Sequence, residues 1–475
     1  MAKHIAVDLG ASNGRVIVGD LSGFEVTNRF VTRSDFLLKE SHWDIIYIFS
    51  EIKKGIKEAF QKYGDEVVSI GVDSWGVDYG LLDETGSLVA LPYHYRDLRT
   101  EGLVEEVTQK LGKEAIFERT GLAFHPFNTI YQLYAMQKQR PATFSVARHY
   151  LSLPDLISYW LTGVMVNEVT HASTTQLYNP VTKDWDWQSI DALKFPRALF
   201  GSLVSSGTVI GPLEARLEKE LKAPQGVVVV AGGSHDTASA VAAVPSKTGQ
   251  DFLYISSGTW SLLGVESPVP IISQAALESG FTNEVAVNGN IRFLKNIMGM
   301  WIQQECVNYW KSLGEEINWA DLDRETLAEA NYSGYIDPND YRYLNQSVPE
   351  DLMIDRVAAN CAELGFERPH SKGEYMVAIY RGLAKAYAQA IEHLSATTGK
   401  KYTSLHIIGG GCKNEILDQW SADETGLTVY AGPVEATALG NMLVQAVATG
   451  QIASLQEGRE QIIVSQKVKE FIPVK

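Results

Sequence analysis

Apolar and polar positions alternate through Ile5, Val7 and Leu9, and the alternation predicts a short strand running into a turn of small residues, Gly10-Ala11-Ser12-Asn13-Gly14. A second strand, Arg15–Gly19, would close a β-hairpin with an acid, Asp8, just before the turn and a base, Arg15, just after it. The pattern recurs at Phe252–Glu266: a strand, a hydroxyl-rich turn (Ser256, Ser257, Gly258, Thr259) and a second strand ending in Gly264. Two β-turn-β units about 245 residues apart predict two related halves, each presenting a hairpin loop to a shared cleft.

Between and after these hairpins the periodicity switches repeatedly between 2 and 3.6, as in an α/β chain. Helical spacing covers Trp43–Tyr63, Arg99–Thr120, Asp155–Leu161, Thr237–Val244, Gly382–Thr397, Asn414–Ala422 and Thr437–Thr449, and buried-type strands are expected at Val67–Val72, Val227–Ala231, Leu405–Ile408 and Thr428–Ala431. Asp83-Glu84-Thr85-Gly86 marks a turn within a hairpin at Leu81–Val89. The polar link Pro245–Asp251 divides the chain into residues 1–245 and 246–475. In the run LKNIMGMWIQQ, Asn296 and Gln304 lie eight positions apart, within about 40° of one another if the run is one helix.

At 475 residues, 45% hydrophobic and 21% charged, the chain is ordinary globular material for two or more domains. Lys and Arg number 41 against 57 Asp and Glu, a net charge of −16, which argues against a nucleic-acid partner. A nucleotide would have to be held by local donors and a cation. Cys306, Cys361 and Cys412 form no close pair, so neither a disulfide framework nor a zinc site is expected. The sequence opens directly into a strand, and no apolar run matches a membrane span, so no membrane partner and a cytoplasmic location are expected. Nothing in the sequence indicates an oligomeric state.

Gly, Ser and Asn in the first turn let backbone N–H groups converge on an anion, and Asp8 is placed to hold a metal ion or its water beside bound phosphates. An ordinary hairpin fits the same residues. No P-loop and no dinucleotide-binding glycine pattern occurs. Asp236 follows a buried strand and GGSHD at the start of a helix of small residues, where a helix cap is the simplest reading and a general base the functional one. His235 and Thr237 add donors and acceptors beside it. The turn Gly409-Gly410-Gly411 lets a flat ring or a phosphate approach backbone, or is only a tight connection. The aromatic run Phe124–Asn128 reads as core or as a sugar-stacking wall, and the small residues Ala436, Ala438 and Gly440 read as close helix packing.

The ordered motifs VDLGASNGR, GVDSWGVDYGLLD, YRDLRT, FHPFNTIYQL, SHDTASAV, YISSGTWSL, LKNIMGMW, HIIGGGCKN and GPVEATALGN resemble those of FGGY-family carbohydrate kinases, most closely the rhamnulokinase group. The resemblance implies two actin/hexokinase-like (ribonuclease H-like) domains with ATP and sugar in the interdomain cleft. By the same resemblance Ala11, Ser12, Asn13, Gly14 and Arg15 form the first ATP phosphate loop. Thr259 falls in the second, Gln304 contacts the nucleotide, and Gly410 with Gly411 line the adenosine loop. Asp236 matches the proton acceptor. Gly76, His235, Asp236, Thr237 and Asn296 match positions at the ketose, and Asp8 matches the acid that organises Mg²⁺ and its waters. The implied reaction moves phosphate from ATP to the 1-hydroxyl of L-rhamnulose.

Three departures from that group surround the expected sugar pocket: His125 stands in place of an aliphatic residue, Ala123 in place of a larger polar one, and Asn283–Asn290 lacks paired glycines after Asn-Glu. They leave L-fuculose, another 6-deoxyketohexose phosphorylated at O1, as the alternative substrate. A non-catalytic sugar sensor on the same fold is the remaining reading, and it predicts loss of Asp8, Asp236 or the phosphate loops, all of which are present.

Overall fold

The computed structural model describes residues 2–246, 252–348 and 350–474. The chain folds into two compact units, one built from Met1–Gln250, Glu266–Leu294 and Glu435–Gln466, the other from Asp251–Val265, Lys295–Val434 and Lys467–Lys475. Local sequence carries no sign of the two late segments that rejoin the first unit. The expected polar link at 245–251 falls largely outside the described residues.

In the first unit Lys3–Leu9 and Asn13–Gly19 form the predicted hairpin, with Asp8 opposite Arg15 and Leu9 opposite Gly14. Lys3–Leu9 lies parallel to Val67–Ser74, which lies parallel to Val228–Ala231, and Thr208–Pro212 closes that edge antiparallel. Phe24–Val31 closes the other edge of this six-stranded sheet. The period of two sorts the opening strand. Ile5, Val7 and Leu9 join a core with Ile48, Ile52 and Ile56 of helix Ile45–Tyr63 and Leu156, Ile157 and Leu161 of helix Leu153–Thr162. Helices Asp236–Ala242 and Ala436–Ala448 pack together and against Val67–Ser74, and the second also packs against Lys3–Leu9. Gly71 in the strand Val67–Ser74 has no room for a side chain: a Cβ there would lie 2.3 Å from Asn441 Oδ1.

The second unit repeats the connectivity. Leu253–Ser257 pairs antiparallel with Trp260–Ser267 on one side and parallel with Ser404–Ile408 on the other. Thr428–Ala431 follows in parallel, and Lys469–Phe471 closes the edge antiparallel. The pairing sequence antiparallel, parallel, parallel, antiparallel is that of the first sheet, so the paired hairpins are equivalent positions in two related folds. The 27-residue helix Lys372–Thr398 opens on a capping box between Ser371 and Glu374 and anchors the helical side of this unit.

Two expectations change and a third is met in shorter form. The stretch 99–120 is two helices, Leu103–Leu111 and Lys113–Thr120, because Gly112 adopts φ +80° between them. The hairpin at 81–89 is present but short: Leu82 bridges Leu88 antiparallel, Val89 N–H donates to Leu81 O at 3.0 Å and Asp83 N–H to Ser87 O at 2.9 Å, while the longer pairing of Tyr79–Leu82 is with His149–Ser152. Asn296 and Gln304 do not share a helix. Asn296 belongs to the strand Ile291–Met298 and Gln304 to the helix Trp301–Ser312, with Gly299 at the corner. The corner is tight, since a Cβ on Gly299 would lie 2.7 Å from the Trp260 carbonyl carbon. Among the described residues no helix is long and apolar enough to cross a membrane.

Candidate active site

Register alone brings Asp8 and Arg15 face to face, and the Arg15 guanidinium bridges Asp8 and Glu435. Asp73 lies beside Asp8 on the neighbouring parallel strand. One Asp73 oxygen accepts from Asn441 Nδ2, and the other, Oδ1, is buried without a hydrogen-bond partner. Burial pushes the Asp8 carboxyl up to about 6; Arg15 opposes the shift, while Asp236 and Glu435 add to it. Burial, then the charge of Asp8, pushes Asp73 well above the usual carboxylate range. Asp8, Asp73 and Asp236 are thus close enough to act on one another's charge.

The loop above them is braced from below. Gly10 N–H donates to Asn13 O at 3.0 Å, and Thr32 Oγ1 donates to Gly10 O at 2.8 Å. Ala11 and Ser12 are half-buried and Asn13 is exposed. Gly14 is different. It sits inside the second strand, and a Cβ there would lie 2.4 Å from the Phe30 ring, so its small size serves packing against Phe30.

Asp236 is the first residue of its helix and His235 the capping position, with no capping bond from the His235 side chain. Asp236 therefore sits one position inside the cap, where its carboxylate satisfies a first-turn amide of the helix. Its Oδ1 accepts from Thr237 N–H at 2.6 Å and Thr237 Oγ1 at 3.2 Å, and 29% of the side chain stays open. Burial pushes its carboxyl above the usual range, with His235, Thr237 and Arg292 opposing. The turn that carries it is held by backbone: Ser74 N–H donates to Ser234 O at 2.9 Å, Ser234 N–H to Glu168 Oε2 at 3.2 Å, and His235 N–H to Thr170 Oγ1 at 3.1 Å.

Gly76 lies under the His235 ring, where a Cβ would be 3.3 Å from Nε2. Its turn is locked by Asp78, which accepts from Trp43 Nε1 at 2.6 Å, Trp75 Nε1 at 2.8 Å and Gln132 Nε2 at 3.1 Å. Val77, between them, has φ +69°, a costly conformation for a β-branched residue that this bonding sustains. On its other side the His235 ring meets Arg292 and Glu284, which face it from the hairpin Thr282–Val285/Ile291–Met298. Burial works against ionisation of Glu284, but the Arg292 guanidinium together with its other neighbours outweighs it and its carboxyl lies below the usual range.

Thr259, Asn296, Gln304, Gly410 and Gly411 belong to the second unit. Thr259 occupies the hairpin turn, where its carbonyl accepts from Gly299 N–H at 3.1 Å. The glycine turn lies over the same strand end: Gly409 has φ +86° with Ser257 O at 3.0 Å from a would-be Cβ, and a Cβ on Gly411 would reach Ser257 Oγ at 1.9 Å. Gly410 has open space around it. Gln304 is exposed and donates to Asn308 Oδ1 at 2.9 Å.

Sequence reasoning missed Asp73, Glu168, Glu284, Arg292, Glu435 and Asn441 as parts of the site. Asp73 carried a signal, a carboxylate within the apolar strand VVSIGVDS. Glu435 reaches Arg15 across 420 positions and Asn441 reaches Asp73 across 368, while Glu284 and Arg292 pair across one hairpin but meet His235 only in the folded chain. Among the described residues no three His, Cys, Asp or Glu side chains gather as a metal cluster.

Residues 4–243 match the N-terminal domain of the FGGY family of carbohydrate kinases, and residues 253–449 match its C-terminal domain. A rhamnulokinase of Halalkalibacterium halodurans is 40% identical over 475 residues, covering 99% of both chains. A Bacillus subtilis rhamnulokinase is 38% identical over 474 residues, covering 99% of this chain and 95% of its own. Among solved structures, a ligand-bound xylulose kinase from Lactobacillus acidophilus superposes with a TM-score of 0.80 at 18% identity, covering 100% of this chain and 94% of its own. Plasmodium falciparum glycerol kinase with ADP gives 0.79 at 15% identity with the same coverage. These structural likenesses establish the two-domain actin/hexokinase-like fold, while 38–40% identity along nearly the whole chain carries more than fold. The chain belongs to the FGGY family of carbohydrate kinases.

Proposed function

We propose that the protein transfers the γ-phosphoryl group of ATP to the 1-hydroxyl of L-rhamnulose, giving L-rhamnulose 1-phosphate and ADP. The observation that carries this reading is the 40% identity to a rhamnulokinase along 99% of both chains. Its support in the site is an open carboxylate, Asp236, held by backbone in a donor-rich turn beside Gly76, His235 and Thr237.

In this reading Asp236 accepts the O1 proton as the new O1–P bond forms and the β–γ bridging bond breaks, leaving the electron pair on ADP. Gly76, His235, Thr237 and Asn296 hold the ketose. Ala11, Ser12, Asn13, Gly14 and Arg15 with Thr259 cradle the phosphates, and Gln304, Gly410 and Gly411 take the rest of the nucleotide. Arg15 contributes little free charge, because Asp8 and Glu435 already hold its guanidinium. The residues fit Mg²⁺: Asp8 and Asp73 stand side by side, and Asp73 Oδ1 lacks a hydrogen-bond partner. When bound, Mg²⁺ neutralises phosphate charge and orients the transferring group. We read the protein as cytoplasmic, where ATP is at hand for the reaction.

The test is ADP release across a panel of L-rhamnulose, L-fuculose, D-xylulose, L-ribulose and glycerol. L-Rhamnulose is expected to give the highest kcat/KM. A tenfold preference for L-fuculose, about 1.4 kcal/mol of transition-state discrimination, would replace the substrate assignment. No phosphorylation of any of the five would overturn the kinase reading itself.

A further inference from the structure

We infer that Arg292 is a positioning residue that holds His235 in its Nε2–H tautomer, making the ring a hydrogen-bond donor to the ketose and leaving the O1 proton to Asp236. The inference rests on the ketose-binding reading above. It begins from three atoms in a triangle. Arg292 Nη2 lies 3.0 Å from His235 Nδ1 and donates at 2.9 Å to Glu284 Oε2, which itself lies 3.1 Å from Nδ1.

A ring nitrogen offers one in-plane position, filled either by a proton or by a lone pair. A guanidinium has donors only. With an Arg292 N–H directed at it, Nδ1 must accept, and the ring proton then resides on Nε2. The reverse tautomer would donate from Nδ1 to Glu284 and set two N–H groups against each other. Arg292 is poorly placed to tolerate that. Its side chain is 0% exposed, Nε donates to Val285 O at 3.2 Å, and Nη1 is already buried without a partner. A second orphaned donor on a buried charge is strongly disfavoured. Glu284 balances the guanidinium charge and fixes where its Nη2 sits.

The other edge of the ring faces the candidate sugar position. Nε2 lies 3.5 Å from Asp236 Oδ1 and 3.3 Å from the position of a Cβ on Gly76. Asp236 Oδ1 already accepts twice from Thr237. The Nε2–H is therefore available to an oxygen of the ketose. His171 meets the ring edge-on, with centroids 6.4 Å apart, and completes the ionisable groups around it. His235 cannot take the O1 proton at Nε2, which carries one, nor at Nδ1 without displacing Arg292. The proton from O1 goes to the Asp236 carboxylate.

The experiment is two-bond ¹H–¹⁵N correlation of the full-length protein labelled with ¹⁵N-histidine, with the His235 signals identified by their loss in His235→Asn. The expected pattern is an unprotonated Nδ1 and a protonated Nε2. Arg292→Lys keeps the positive charge but loses the fork, and is expected to convert His235 to the Nδ1–H form bonded to Glu284. It should also lower kcat/KM for L-rhamnulose at least tenfold, with the KM for ATP within twofold of wild type. A protonated Nδ1 in the wild-type spectrum overturns the inference, whether or not Arg292→Lys folds. So does an Arg292→Lys protein with the wild-type tautomer and wild-type ketose constants. Failure of ketose phosphorylation would strike the functional reading alone, since the spectrum reports the tautomer without turnover.

Discussion

A methyl group added at Gly440 would lie 1.7 Å from the carbonyl oxygen of Ser239, so two helices of the first unit meet backbone to backbone. One of them begins with Asp236; the other, Ala436–Ala448, carries Asn441 to Asp73 and Gln445 to Ser69. In an exposed helix Gly→Ala gains about 1 kcal/mol. Here Gly440→Ala is expected to lose about 1–3 kcal/mol through overpacking and to impair turnover by moving the Asp236 helix. Urea unfolding measures the first effect, and an unchanged midpoint would mean the helices separate freely.

Asp236→Asn keeps both bonds from Thr237 available to the side-chain oxygen but cannot accept a proton. Turnover at saturating ketose should fall by a factor on the order of 10² or more, with circular dichroism and ATP binding unchanged. Turnover near wild type would remove Asp236 from the mechanism.

Asp155 should contribute stability that is lost as pH rises from about 4 to 7. Burial pushes its carboxyl up to about 7, with the charge of Glu168 adding to the shift and the Ser152 hydroxyl and Glu168 N–H opposing it. Because the folded value is raised, the native state binds the proton more tightly. This contribution is fully present below the unfolded value near 3.8 and is lost as pH passes the folded one. The slope is at most about 1.4 kcal/mol per pH unit for one group. Asp155→Asn retains an acceptor for both donors and should flatten the decline in urea midpoint between pH 5 and pH 7. An equal decline in both proteins would assign the effect to other carboxylates, such as Asp78, also pushed up by burial to about 6.

Thr259→Val and Gly14→Val should part company, although both positions belong to the paired hairpins. The Thr259 side chain is half-buried in its turn, and losing the hydroxyl should raise the KM for ATP while leaving the ketose KM and the melting temperature near wild type. A valine at 14 drives into the Phe30 ring and should lower the melting temperature first. Equal loss of ATP affinity without destabilisation in both variants would mean that Gly14 acts through the phosphate loop alone and not through its packing on Phe30.

His125 stacks on Phe127 with ring centroids 4.8 Å apart and planes at 7°. Phe127 in turn meets Tyr95 edge-on at 6.0 Å. If this stack borders the ketose, His125→Leu should change the ratio of kcat/KM for L-rhamnulose and L-fuculose, because a polar contact discriminates epimers far better than an apolar wall. An unchanged ratio would make His125 a packing residue.

Both hairpins were legible from the sequence because they are local. Alternation sets the faces, small residues set the turn, and the register that follows puts Asp8 opposite Arg15 within a few residues. The helix Ala436–Ala448, the strand Thr428–Ala431 and the helix start at Asp236 were likewise written in short-range periodicity and capping positions. The single helix expected through Asn296 and Gln304 was not there. The run LKNIMGMW is apolar enough for either period, and the tight approach of Gly299 to Trp260 ends the strand in a way only the folded chain reveals.

By itself the sequence determined the α/β class and the two related hairpins, and it supplied the candidate residues proposed for phosphoryl transfer. Tertiary structure alone decided their electrostatic state. Asp73 acquires Asn441 from 368 positions away, Arg15 acquires Glu435 from 420 away, and His235 acquires Arg292 from 57 away. Whether a carboxylate holds its proton, or which imidazole nitrogen does, depends on burial and on neighbours a few ångströms off. Those neighbours are brought by chain segments whose own sequence records their helix or strand, but not the partner they will meet.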